Sequence, residues 1–375
     1  MLAPVPRLLA SHLEVLGKWG AILFDDFSSC TPPRFLVGET LYSWVVRGLV
    51  QNKLRSPHLF RAEINLAFNV DDTRYTGTIQ SWPLPAYADV EFDSGSKLGA
   101  LISSLYGLDE KVLFRFFSAS QPNLINIHFR HAYCSACIVQ SMADYGFPVW
   151  RKDWCYTTNS YCVEHKKLFS KVRYLQSPDR RIWDAYIHSA RERKMEDSLF
   201  DRRLAGIILR VQKWINALDV EHPFTKGVQA LYGILLAKRT SFAAGGIAAA
   251  GFHQAQPPLL KENLNLDQRI ELGLNDSEPS QRMGALLLIG WLIGIVCSSE
   301  IDYLSRFDYK IRRTLPSKPE QFARLLISTL EMDEVSTVRH KLSTLHDTPF
   351  NRVSIFSASL NASTSSPLKA AKRKR

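Results

Sequence analysis

Along most of this chain the apolar residues recur at helical rather than alternating spacing, and the pattern predicts a mainly α protein. Thr31-Pro32-Pro33 punctuates the chain, and Leu41, Trp44, Val45 and Leu49 then fall on one helix face. Thr40 or Gly38 can cap that helix, with Glu39 near the positive end of its dipole. Arg47 is expected to be a surface or partner contact. Leu98, Leu101, Ile102 and Leu105 form a second stripe. Gly107 permits a tight turn, Asp109 can cap the next helix, and Val112, Leu113 and Phe116 carry the apolar face onward. This is helix-turn-helix spacing, shared by any short helical hairpin, and Lys111 and Arg115 are its candidates for touching DNA. The other positions of that second helix are mostly apolar, so it is expected to bury most of its surface in protein, which suits a partner interface better than a groove.

The second half of the chain repeats the theme. Ser198 and Asp201 make a capping box, and Phe200, Leu204, Ile207, Val211, Trp214 and Leu218 line one stripe behind it. Met283 to Cys297 runs without a charge but falls short of the roughly 20 apolar residues a bilayer core needs, so a buried helix is expected and no membrane partner. Ser317 and Glu320 form a second capping box, opening a helix through Phe322, Leu325, Leu326 and Leu330. Between these lie expected loops: 71–96 around Trp82-Pro83-Leu84-Pro85, and 253–282 around Pro257, Pro258 and Pro279. The small residues of 242–251 predict either a flexible turn or a close helix contact.

Composition changes this picture in two ways. At 375 residues and 46% hydrophobic, the chain can bury a sizeable core and split into two or three domains. The pattern divides it into an extension (1–30), a helix-turn-helix-like helical domain (31–125), a zinc-finger module (126–175), a helical carboxy-terminal domain (176–358) and a disordered basic tail (359–375). The net charge of +11 is also uneven: residues 166–213 carry +7 and residues 351–375 carry +6, which leaves −2 for the rest. Arg202, Arg203, Arg210 and Lys213 lie opposite the apolar stripe of their helix, and Lys372, Arg373, Lys374 and Arg375 end the tail. Both are candidate nucleic-acid contacts, because charge dominates phosphate-backbone binding.

The chemistry concentrates between His128 and Leu168, which hold four of the six cysteines. Cys134 and Cys137 form a CxxC pair, and Cys162 and His165 a CxxH pair. Each gap lets both side chains reach one tetrahedral ion, and thiolate with imidazole is a set zinc prefers. Four protein donors leave no open position, so one structural Zn2+ is expected. Cys155 and His131 compete for a ligand position. Cys30 and Cys297 sit alone. This usage fits a reducing, cytoplasmic compartment, and no apolar run after a basic start suggests a signal peptide. No phosphate-binding glycine loop, nucleophile elbow or HExxH is present, and no carboxylate cluster suggests a nuclease, so no catalytic residues are assigned and a non-enzyme is expected.

Glu39-Thr40-Leu41, Ser43-Trp44 and Arg47, then Tyr133-Cys134 with Cys137, Trp150-Arg151 with Trp154, and Cys162 with His165 and Leu168, follow in the order and spacing of one family. Across roughly residues 33–170 the chain resembles the TniQ/TnsD transposition targeting proteins. It departs from them at Ser135, where the family often has proline, and in lacking a second cysteine cluster after Leu168, so a second zinc is not expected. The resemblance implies a targeting adapter in Tn7-like transposition, placed in the bacterial cytoplasm on DNA between a target-recognition complex and the AAA+ ATPase regulator of the transposase. In some such systems the recognition complex is a CRISPR effector with its guide RNA. In others the protein itself reads an attachment site, which makes a sequence-specific DNA-binding protein the alternative. A homodimer is compatible with either role.

Overall fold

Helical spacing becomes helices wherever a cap residue or a proline marks the start. The computed structural model describes residues 31–52, 89, 91–92, 97–172, 178–192, 198–241, 243–253, 260–261, 263–346 and 348–362. The extension 1–30, the Trp82–Pro85 loop, Pro257, Pro258 and the basic residues 372–375 lie outside them. The described residues contain fifteen α-helices and one two-stranded antiparallel sheet, so the chain is mainly helical. They cluster in two compact units.

The first unit takes the chain up to Pro122 together with Cys137–Lys152 and Val172–Ala190. Its helices are α1 (Leu41–Gln51), α2 (Lys97–Tyr106), α3 (Glu110–Phe117), α4 (Ser135–Tyr145, from Cys137 on) and α5 (Pro178–Arg191). Thr40 caps α1 by accepting the Ser43 amide, and Leu41, Trp44, Val45 and Leu49 are all buried. The Trp44 indole donates to the Pro33 carbonyl at 2.9 Å, which ties the proline segment to the helix. Arg47 corrects the expectation of a surface contact: it is 2% exposed and pairs with Glu39. Gly107 turns the chain at φ +62°, a conformation that favours glycine, and Asp109 caps α3 by accepting the Lys111 amide at 2.8 Å. The buried face of α3 runs through Leu113 and Phe117 rather than Val112, Leu113 and Phe116. Phe114 is 60% exposed and Phe116 stacks on Phe35, so α3 buries less of its apolar surface than the pattern implies.

The second unit comprises Asn123–Ala136, Asp153–Lys171 and the chain from Arg191 onward. Its sheet pairs β1 (Ala132–Tyr133) with β2 (Ser170–Lys171) in the register Ala132↔Lys171 and Tyr133↔Ser170. Then come α6 (Leu199–Asn216), α7 (Pro223–Leu236), α8 (Ile247–Gly251), α9 (Leu266–Asp276) and α10 (Pro279–Ile293). They are followed by α11 (Ser298–Phe307), α12 (Tyr309–Thr314), α13 (Pro319–Ser328), α14 (Glu334–Leu342) and α15 (Asn351–Ala362). The Ser198–Asp201 capping box forms, and α6 buries Leu204, Ile207 and Val211. Every residue of α10 is buried, and the helix packs against α6, α7, α8 and α15. No described helix is long and apolar enough to cross a membrane.

Two readings of this half change, and one pair of alternatives is decided. The segment 253–282 is less of a loop than its prolines suggested, because α9 and the start of α10 fall inside it. An Asn265–Gln268 capping box opens α9, and Pro279 takes the first position of α10, where a missing N–H costs nothing. Ser317 does not cap with Glu320; its amide and hydroxyl both donate to Gln321 at 3.0 Å, and α13 starts at Pro319. The small residues of 242–251 make a close contact: a Cβ on Gly246 would come within 2.3 Å of the Leu235 carbonyl oxygen.

Candidate metal centre

The first knuckle grows from the sheet. β1 delivers Cys134, and the chain turns directly into α4, whose first turn carries Cys137. The second knuckle is a tight loop closed by the Tyr161–Leu168 bridge. Inside it the Cys162 amide donates to the Lys167 carbonyl and the Lys166 amide to the Cys162 carbonyl, both at 2.9 Å. Lys166 sits at φ 54°, a left-handed turn that a lysine adopts only under constraint. The His165 amide points at Cys162 Sγ, 3.5 Å away.

Helix α6 fixes this loop from behind. Gln212, 2% exposed, accepts the Ser160 and Tyr161 amides at 3.0 and 3.2 Å and donates to the Tyr161 carbonyl at 3.1 Å. The Tyr232 hydroxyl of α7 donates to the Thr157 carbonyl at 2.7 Å. The loop that offers Cys162 and His165 is therefore anchored by buried side chains rather than left to the metal alone.

The donor atoms of Cys134, Cys137, Cys162 and His165 all lie within 4.8 Å of one another. His165 Nδ1 stands 3.7 Å from Cys134 Sγ and 3.6 Å from Cys162 Sγ. A tetrahedral ion at about 2.3 Å from sulfur and about 2.05 Å from nitrogen sets such atoms about 3.6 Å apart. The residues present therefore fit one metal ion, with Nδ1 as the histidine donor. All three cysteines are buried and His165 is half-buried. Neither Cys155 nor His131 belongs to the group, and the Cys155 carbonyl accepts the Ile125 amide at 2.8 Å.

Arg151 is the neighbour that the spacing did not reveal. Its guanidinium donates to Cys137 Sγ at 3.3 Å. Three thiolates and a neutral imidazole around a divalent ion would leave one net negative charge, which this cation would offset. Arg151 is held by an isolated antiparallel bridge to Glu39, flanked by the Thr40 amide on the Trp150 carbonyl (3.1 Å) and the Lys152 amide on the Gly38 carbonyl (2.7 Å). The Ser43 hydroxyl accepts the Trp150 amide at 3.0 Å and donates to the Glu39 carboxylate at 3.1 Å. Glu39 in turn takes two hydrogen bonds from Arg47, at 3.1 and 2.7 Å. Burial pushes the Glu39 carboxyl above its ordinary value, with Arg47 and Ser43 pulling it back. Trp150 is completed by Arg181, which lies 4.2 Å over its ring and pairs with Glu91.

Arg202, Arg203, Arg210 and Lys213 of α6 are all exposed, as expected of the outer face. Two of them are engaged by α11: Arg210 pairs with Glu300 at 2.6 Å, and Arg203 lies 4.3 Å over the Tyr303 ring. Partial burial raises the Glu300 carboxyl, but the Cys297 amide and Arg210 outweigh it and hold the group below its usual value. Glu300 is therefore charged at neutral pH and competes with any phosphate for Arg210.

Residues 31–168 match the family model described as TniQ. No curated protein and no solved structure matches the chain. The matched segment begins at the proline turn before α1 and stops at Leu168, the residue that closes the second knuckle. The Glu39–Arg47 pair, the bridge to Arg151 and all four candidate ligands fall between those limits, so it is this segment of the chain that is similar to the TniQ family.

Proposed function

We propose that this protein is a non-enzymatic targeting adapter that joins a target-recognition complex to the AAA+ ATPase regulator of a Tn7-like transposase. A TniQ domain implies a part in targeting Tn7-like transposition. The adapter reading rests on the outward face of α3. Base readout calls for Arg, Asn or Gln at exposed positions of a recognition helix. Here the exposed positions are Glu110, Lys111, Phe114, Arg115 and Phe116, and the outward Phe114, 60% exposed, suits a protein surface better than base edges.

The resident ion under this reading is one Zn2+ held by Cys134, Cys137, Cys162 and His165, the soft donor set that selects it. When bound it supplies folding energy and no reaction chemistry, since all four positions are filled by protein. Arg202, Arg203, Arg210 and Lys213, together with the tail residues Lys372, Arg373, Lys374 and Arg375, would contact phosphates of DNA or guide RNA. The protein would act in the bacterial cytoplasm.

The second reading, a sequence-specific reader of an attachment site, is favoured by the α2–α3 hairpin and its exposed Lys111 and Arg115. Selection from a random DNA pool, run beside copurification with the transposon's ATPase regulator and target-selection proteins, separates the two. The adapter reading expects stable copurification and no enriched motif. A motif enriched at the ~10³-fold discrimination of specific binders would overturn it.

A further inference from the structure

The surface where α11 gives way to α12 carries an unusual mixture. From Arg306 to Arg313 the chain has four basic residues and one acidic one. Its two aromatic rings face solvent, Phe307 at 63% exposed and Tyr309 at 62%. Phe307 sits 4.9 Å from the Tyr303 ring and 6.1 Å from that of Phe200 at the start of α6. Guanidinium groups lie over the tyrosines, Arg203 over Tyr303 and Arg312 at 5.5 Å from Tyr309.

Of the acidic residues nearby, Asp302 is exposed, while Asp308 and Asp201 are engaged by backbone amides. Asp308 accepts the Lys310 and Ile311 amides at 2.7 and 3.2 Å, and Asp201 accepts the Ser198 amide at 3.0 Å. Arg202, Arg306, Lys310, Arg312 and Arg313 remain exposed. A cavity of about 420 Å³ shares Phe200, Asp308 and Lys310 with this corner and adds Lys166 and Lys167. Ser280 also lines it, 8% exposed and with no hydrogen-bond partner for its hydroxyl.

We infer that this corner binds single-stranded nucleic acid, with Tyr309 and Phe307 receiving unstacked bases and the surrounding arginines and lysines taking phosphates. Aromatic faces interleaved with cations match a ligand that alternates π-faces with negative charge. A duplex keeps its base faces in its own stack and has no use for exposed rings. The inference shares with the adapter reading the premise that the protein meets nucleic acid, and adds base contact at residues outside α6. Because the assay below uses the protein alone, its failure would leave the partner-binding test of that reading intact.

The test is fluorescence anisotropy with labelled oligo-dT and oligo-rU of about 20 nucleotides, beside a duplex of equal length. Both single strands should bind, the tighter one showing whether DNA or RNA is the source. Tyr309→Ala with Phe307→Ala should weaken single-strand binding about tenfold or more and leave the duplex unchanged. Arg312→Gln with Arg313→Gln should flatten the log–log salt slope by about 1.4. Phe307 packs on Tyr303, so Tyr309→Ala alone, with circular dichroism to verify the fold, serves as the second variant and should cost at least about threefold. Single-strand affinity within about twofold of wild type in both variants, equal losses on duplex, or preference for anionic phosphatidylglycerol vesicles over both oligonucleotides would overturn the inference.

Discussion

Arg47 and Glu39 face each other at 2.7 Å with almost no exposure to water. A buried pair of this kind adds little net stability, yet removing one partner strands the other charge. Arg47→Ala should therefore destabilise the protein by about 3–5 kcal/mol, while Glu39→Gln with Arg47→Met recovers much of the loss. Urea denaturation of the three proteins decides it, and wild-type stability in Arg47→Ala would refute a structural role for the pair.

The same pair gives a pH dependence. Because burial raises the Glu39 carboxyl, the folded chain holds that proton more tightly than the unfolded one above the ordinary carboxylate value. Across that window stability falls as pH rises, and the contribution is complete below it. Glu39→Gln should thus gain on wild type as pH increases. A difference between the two that stays constant with pH would contradict the raised value.

At the metal centre, Cys137→Ser should lose the ion and Arg151→Gln should keep it more weakly. Neighbours that hydrogen-bond to ligands typically tune affinity by about 10–100-fold. Chelator competition measures both, and unaltered affinity in Arg151→Gln would mean the guanidinium is a bystander.

On α6, Glu300→Gln should release Arg210. If the helix contacts phosphates, nucleic-acid affinity should rise and the salt slope steepen by up to about 0.9. The quadruple Gln variant of Arg202, Arg203, Arg210 and Lys213 should move both the other way. Two variants that bind like wild type would assign this face to something other than nucleic acid.

Gly273 lies where α9 crosses the end of α7, and a Cβ there would come 2.0 Å from the Leu236 carbonyl oxygen. Gly273→Ala must push the two backbones apart and should cost about 1–3 kcal/mol, read as a lowered melting temperature. An unchanged melt would show that the helices have room to separate.

Local features were legible in the sequence because their causes are local. The stripe of α1, the Asp109 cap, the Ser198–Asp201 box and the charge-free run from Met283 that fills most of α10 each follow from neighbours a few residues apart. The two knuckles were legible because metal geometry fixes their spacing. Arg47 was misplaced because its burial depends on Glu39, whose backbone is set by residue 151. Arg151 itself stood inside a recognisable motif, but nothing in its spacing showed that it reaches Cys137. Helix α9 was overlooked although Asn265 and Gln268 announce it, because the prolines on either side weighed more heavily.

The bridge between Glu39 and Arg151 also bears on how the chain comes together during synthesis. Glu39 leaves the ribosome more than a hundred residues before Arg151, and Glu91 must wait in the same way for Arg181. Contacts of such long sequence separation form slowly, because the intervening loop has to close first. The amino-terminal unit therefore cannot finish folding in the order in which it is made. A fragment ended at residue 168, where the family match stops, would lack Arg181 and leave Glu91 without that charge and Trp150 without its cover.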